Sequence, residues 1–117
     1  MPEGTIDPAV FVKSFNALAA DIHQTARDKG WWDGERNDGE LVALMHSELS
    51  EALEALRNGN ASDDKIPFFL GVEAELADVI IRIMDAAAAR GWNVAEALVE
   101  KAEMNKARER MHGGKQF

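Results

Sequence analysis

Residues 68–90, FFLGVEAELADVIIRIMDAAAAR, decide how the rest of the chain is read. Phe69, Val72, Leu76, Val79, Ile80, Ile83, Met84 and Ala87 recur at helical spacing and wrap most of one helix. A helix that is apolar on most of its surface belongs inside a bundle. Its broad polar strip past the first turn is Glu75, Asp78, Arg82 and Asp85. Such a strip either faces a polar cavity or forms the one solvent-facing edge.

A second acidic pair favours the cavity. Glu48-Leu49-Ser50-Glu51 has the same spacing as Glu75-Leu76-Ala77-Asp78, a carboxylate followed three residues later by another. Residues three apart share a helix face, so each pair can present both groups to one point. At about 100° per residue, Glu48 falls inside the apolar arc of its helix, between Leu41 on one side and Leu44 and Ala55 on the other. An unpaired carboxylate buried there costs several kcal/mol, which a compensating cation removes. Two such helices side by side make a site of four carboxylates.

Working outward, Asp7 and Pro8 read as an N-cap followed by proline at the first helical position. Phe11, Phe15, Leu18, Ile22 and Ala26 continue this first helix over about residues 8–29, to Gly30. His23 falls on its polar side and is expected to be solvated. Trp31 and Trp32 follow in a loop. Two adjacent tryptophans cannot share one helical face, so one packs and the other is left as a stacking surface for a planar ligand.

The second helix, residues 39–57, opens at Asp38 or Gly39 and has Leu41, Met45, Leu49, Leu53 and Leu56 as its expected packing stripe. Residues 58–67 are rich in Asn, Gly, Ser and Asp and read as a surface loop. The third helix, 68–90, closes at Gly91. Asn93 with Glu96 predicts a capping box for a fourth helix over 94–110, with a narrow apolar stripe of Val94, Leu98 and Ala102. Beside that stripe Lys101, Asn105, Arg108 and His112 step by four, three and four. They lead into Gly113-Gly114-Lys115, where exposed backbone N–H groups suit an anion.

Strand alternation is absent from the pattern, so the expected fold is all-α: four helices in a bundle, the second and third antiparallel with their acidic pairs at matching depth. Residues 1–7 read as a flexible leader and 8–117 as a single domain, a size that supports one core. The apolar surplus of the third helix predicts a homo-oligomer.

Composition narrows the chemistry. With no cysteine, the chain has no disulfide, thiolate zinc site or cysteine nucleophile. No apolar run approaches the ~20 residues of a membrane span, and Met1-Pro2-Glu3-Gly4 does not open a signal peptide, so a cytoplasmic protein is expected. The net charge of −8 argues against a nucleic-acid polymer as partner. Residues 101–117 carry five Lys or Arg against two Glu, a balance of +3, which leaves −11 for residues 1–100. An acidic body with a basic tail suits a metal-phosphate substrate. Four carboxylates form a hard, all-oxygen site for Mg²⁺ or Mn²⁺.

These residues resemble the MazG-like nucleoside triphosphate pyrophosphohydrolases of the all-α NTP pyrophosphatase superfamily. The resemblance covers residues 10–117 and rests on three motifs. They are Glu48-x-x-Glu51 with Glu75-x-x-Asp78 running into Val79-Ile80-Ile81; Lys101 to Arg108 leading to His112-Gly113-Gly114-Lys115; and Lys29-Gly30-Trp31-Trp32-Asp33. Many members carry a further glutamate where this chain has Ser47, which leaves the number of metal ions open.

The resemblance implies that Glu48, Glu51, Glu75 and Asp78 hold Mg²⁺, or Mn²⁺ in its place, or the attacking water. It implies that Lys101, Asn105, Arg108 and Lys115 contact phosphate or sugar, even across a subunit boundary, and that Trp31 or Trp32 flanks the base. The implied reaction releases a nucleoside monophosphate and pyrophosphate from a triphosphate, in a homodimer or homotetramer that cleans the nucleotide pool. Two other readings compete. A di-iron bundle needs Glu-x-x-His on two helices, and only Glu109-x-x-His112 fits. A non-catalytic helical oligomer explains the apolar excess but not Glu48.

Overall fold

The computed structural model describes residues 5–108, which form four helices. These are α1 (Pro8–Asp28), α2 (Asp38–Arg57), α3 (Gly71–Arg90) and α4 (Val94–Ala107). Among the described residues there is no strand, only a single bridge between Ser62 and Leu70. No described helix is long and apolar enough to cross a membrane.

Local chemistry sets the helix ends. The Asp7 carboxylate accepts the N–H groups of Ala9 and Val10 at 3.0 and 3.3 Å, with Pro8 behind it, and so starts α1. At its other end the Gly30 N–H donates to the Arg27 carbonyl and the Trp31 N–H to the Ala26 carbonyl, both at 3.0 Å. This wrap needs a left-handed residue, and Gly30 supplies it with φ of 87°. It turns the tryptophans back beside α1. Asn37 caps α2, its side chain accepting the Glu40 N–H at 2.8 Å.

Two predicted boundaries change. The third helix starts at Gly71, three residues later than expected, because residues 61–70 are tied into a loop. There the Asp63 side chain accepts the N–H groups of Lys65 and Ile66, and its own N–H donates to the Phe69 carbonyl. Leu70 offers no side-chain cap, so Asn60 reaches across to accept the Val72 N–H at 2.8 Å and Glu73 accepts the Leu70 N–H at 2.7 Å. At α4 the capping box is not formed: Asn93 makes no side-chain cap bond, and α4 ends at Ala107. Arg108 follows in extended conformation, and the rest of the predicted fourth helix from Glu109, with His112 and the Gly113-Gly114-Lys115 segment, lies outside the described residues.

Helix α3 is central, packed on both α2 and α1, while α4 packs on α1. Helices α2 and α3 run antiparallel. Arg90 near the end of α3 pairs with Asp38 at the start of α2, Arg82 pairs with Glu48, and Gly71 lies beside Ala55. A Cβ at Gly71 would come within 3.2 Å of both the Ala55 Cβ and the Ala61 carbonyl, so this entry into α3 is built for glycine.

The buried apolar residues are mostly small: Ala19, Ala26, Ala52, Ala74, Ala86, Ala87 and Ala95, with Leu41, Val79 and Met84. The packing stripe expected on α2 is therefore corrected. Leu41 is buried, but Leu49, Leu53 and Leu56 are 46%, 49% and 53% exposed, and the helix packs through Leu41, Ala52 and the half-buried Met45, Glu48 and Ala55. On α4 likewise, Ala95 is buried while Leu98 and Ala102 are exposed. In each case the small residues permit close approach and the large ones are displaced outward.

Candidate metal centre and adjoining pocket

Antiparallel pairing brings the two acidic motifs level. Glu48 and Glu51 on α2 and Glu75 on α3 each offer a carboxylate oxygen, and these oxygens lie within 4.8 Å of one another. Glu48 and Glu75 are half-buried and Glu51 is exposed. An open hollow of about 700 Å³ reaches the group, lined by Ser47, Ser50, Glu51, Glu54, Ala55 and Glu75. Asp78, the fourth predicted ligand, stands outside this trio on the exposed side of α3.

The electrostatics follow from the crowding. Partial burial raises the pKa of Glu75 above the ordinary carboxylate value, and the negative charges of Glu51, Asp78, Glu48 and Asp63 push in the same direction. Asp78 is raised too, first by burial and then by Glu48, with Arg82 opposing. The protein therefore holds negative charges together at a cost that protons or a cation would relieve.

One cation is already in contact with the trio. The Arg82 Nε donates to Glu48 Oε1 at 3.2 Å, and Nη2 lies 3.2 Å from the same oxygen. On its other side the guanidinium sits over the Trp31 ring, 4.7 Å from the centroid. Trp31 is the more exposed tryptophan of the loop. With Leu18, Ile22, Ala26, Ile81 and Arg82 it lines a largely apolar pocket of about 380 Å³ between α1 and α3.

Trp32 is the tryptophan that packs. Its Nε1 donates to both carboxylate oxygens of Asp85 at 3.1 Å, and its ring stands edge-on to His23 with centroids 5.3 Å apart. His23 is not solvated, contrary to expectation. Its Nδ1 lies 2.7 Å from Asp85 Oδ1, because Asp85 is only 7% exposed and must find donors. The C-terminal half of the polar strip of α3 thus faces its neighbours, with Arg82 turned to α2 and Asp85 to α1. Among the described residues every buried side-chain nitrogen and oxygen has a partner.

No family model, curated protein or solved structure matches this chain. The chemistry of the site rests on its own residues.

The donor set fits a hard divalent ion. All three groups that could hold it are carboxylates, with no thiolate or imidazole among them. Oxygens about 2.1 Å from one Mg²⁺ lie no more than about 4.2 Å apart, so modest rotation of the glutamate ends closes the set. The cationic face expected on α4 is not gathered to this point. Lys101, Asn105 and Arg108 are exposed, and among the described residues no hydrogen bond, ion pair or pocket joins them to the trio. Lys115 lies outside the described residues.

Sequence reasoning missed three contacts, Arg82 with Glu48 and Asp85 with both His23 and Trp32. The signal was present in the spacing of Arg82 and Asp85, three apart on one face of α3. Their partners lie 34, 62 and 53 residues away, beyond the reach of periodicity.

Proposed function

We propose that this protein hydrolyses a (deoxy)nucleoside triphosphate to the monophosphate and pyrophosphate with Mg²⁺ or Mn²⁺, in the manner of the MazG-like pyrophosphohydrolases it resembles. The observation that carries the reading is the convergence of Glu48, Glu51 and Glu75 oxygens within 4.8 Å, next to a pocket walled by Trp31.

On this reading the three glutamates hold the ion, and bound Mg²⁺ supplies charge stabilisation on the phosphate oxygens and a more acidic water. Asp78, outside the trio, is the carboxylate left to orient and deprotonate the attacking water. Trp31 offers the face for the base, with Trp32 fixed behind it by Asp85. Lys101, Asn105, Arg108 and Lys115 reach phosphate or sugar from a neighbouring copy in a homodimer or homotetramer. The implied role is clearing unwanted nucleotides, in the cytoplasm.

A panel of dNTPs with Mg²⁺ or Mn²⁺, assayed for pyrophosphate, tests this. Turnover of at least one is expected, falling about 100-fold or more in Glu51→Gln, since a ligand matters at least as much as the outer contacts that cost 10–100-fold. No turnover across the panel, or turnover untouched by Glu51→Gln, would refute it.

The exposed leucines of α2 also suit a non-catalytic helical oligomer. That reading predicts the same melting temperature with and without Mg²⁺, whereas an ion-binding site predicts a rise.

A further inference from the structure

Arg82 is the cation that joins the acidic trio to the tryptophan pocket. Two of its nitrogens converge on one oxygen of Glu48, and the same guanidinium lies 4.7 Å from the Trp31 centroid. Both partners of the ion pair are largely shielded, the Arg82 side chain at 22% exposure and Glu48 at 16%. A planar guanidinium can stack and pair at once because its face and its edge are separate surfaces.

The guanidinium and a divalent cation would compete for the same carboxylate. A divalent cation entering among Glu48, Glu51 and Glu75 would meet the guanidinium's charge a few ångströms away, at a carboxylate the guanidinium already engages. Trp31 gives Arg82 somewhere to stay when Glu48 is taken from it, since an arginine over an indole face remains favourable without a carboxylate partner.

We propose that Arg82 is the resident counterion of the acidic site, holding Glu48 until a divalent cation displaces it, with the exchange felt at Trp31. The inference rests on the proposed metal site and adds what competes for it. Arg82 is a positioning residue: it sets the affinity for the ion and ties occupancy of the metal site to the shape of the pocket.

The test is a Mg²⁺ titration of the full chain, followed by calorimetry and by tryptophan emission, in the wild type, Arg82→Gln, Arg82→Lys and Trp31→Phe. In the wild type the emission changes with the same midpoint as the calorimetric isotherm, and Trp31→Phe loses that change. Arg82→Gln binds Mg²⁺ about tenfold more tightly, with emission that no longer follows the ion. Arg82→Lys keeps the charge but not the fork and falls between the two, which preserves the test if the glutamine variant does not fold. Equal or weaker Mg²⁺ binding by the Arg82 variants would overturn the counterion role and leave the metal site standing. A wild type that binds no Mg²⁺ would overturn both. A wild-type emission indifferent to bound Mg²⁺ would overturn the link to Trp31.

Discussion

Glu75 shows what the cluster does to one side chain. Its folded-state pKa lies above the ordinary 4.5, through burial and through Glu51, Asp78, Glu48 and Asp63. Between those two values the folded chain binds more protons than the unfolded one, so stability falls as pH rises through the window and stays lower above it. Glu75→Gln removes the charge. Without metal at neutral pH the variant is expected to melt a few degrees above the wild type, with the gap closing on acidification through the folded pKa of Glu75. Saturating Mg²⁺ is expected to reverse the order, because the wild type then keeps its third ligand. Melting curves across pH check this, and a gap that does not change with pH would contradict it. Glu48 was legible from its place in the apolar arc of α2. His23 was not, because nothing local to it announces a buried aspartate 62 residues away.

Helices α2 and α3 carry the site on one flank and much unburied apolar surface elsewhere. Leu49, Leu53 and Leu56 on α2, and Leu76 and Ile80 on α3, recur at helical spacing and remain exposed. The four helices themselves could be read from periodicity, proline and glycine. Periodicity gives an apolar arc, however, and α2 has an arc wide enough for two neighbours, so the pattern did not say which side α3 takes. The structure gives α3 the alanine side. The start of α3 escaped for a related reason: Phe68 and Phe69 continue the apolar pattern but belong to a loop tied through Asp63. If a second copy covers the leucines, Leu53→Glu is expected to dissociate the oligomer or lower the melting temperature by roughly 5 °C or more. Light scattering and thermal unfolding check this. A wild-type monomer, or a variant unchanged as an ordinary surface substitution would be, would contradict it.

At the scale of the whole molecule, the buried apolar residues are mostly alanine, and among the described residues no large side chain is fully buried. The proposed homo-oligomer would cover the apolar faces that this core leaves exposed. Fold class, the helix pairing and three of the four carboxylates were legible because each depends on spacing within a helix. The Asp85 network and the counterion at Glu48 depend on how α1, α2 and α3 meet, which spacing does not encode. The central claim is that Glu48, Glu51 and Glu75 converge in order to hold a divalent ion. Anomalous diffraction from crystals grown with Mn²⁺ and a non-hydrolysable dNTP tests it most directly. A manganese peak bounded by those three carboxylates and touching the triphosphate is the expected result, and no peak among them would contradict the account.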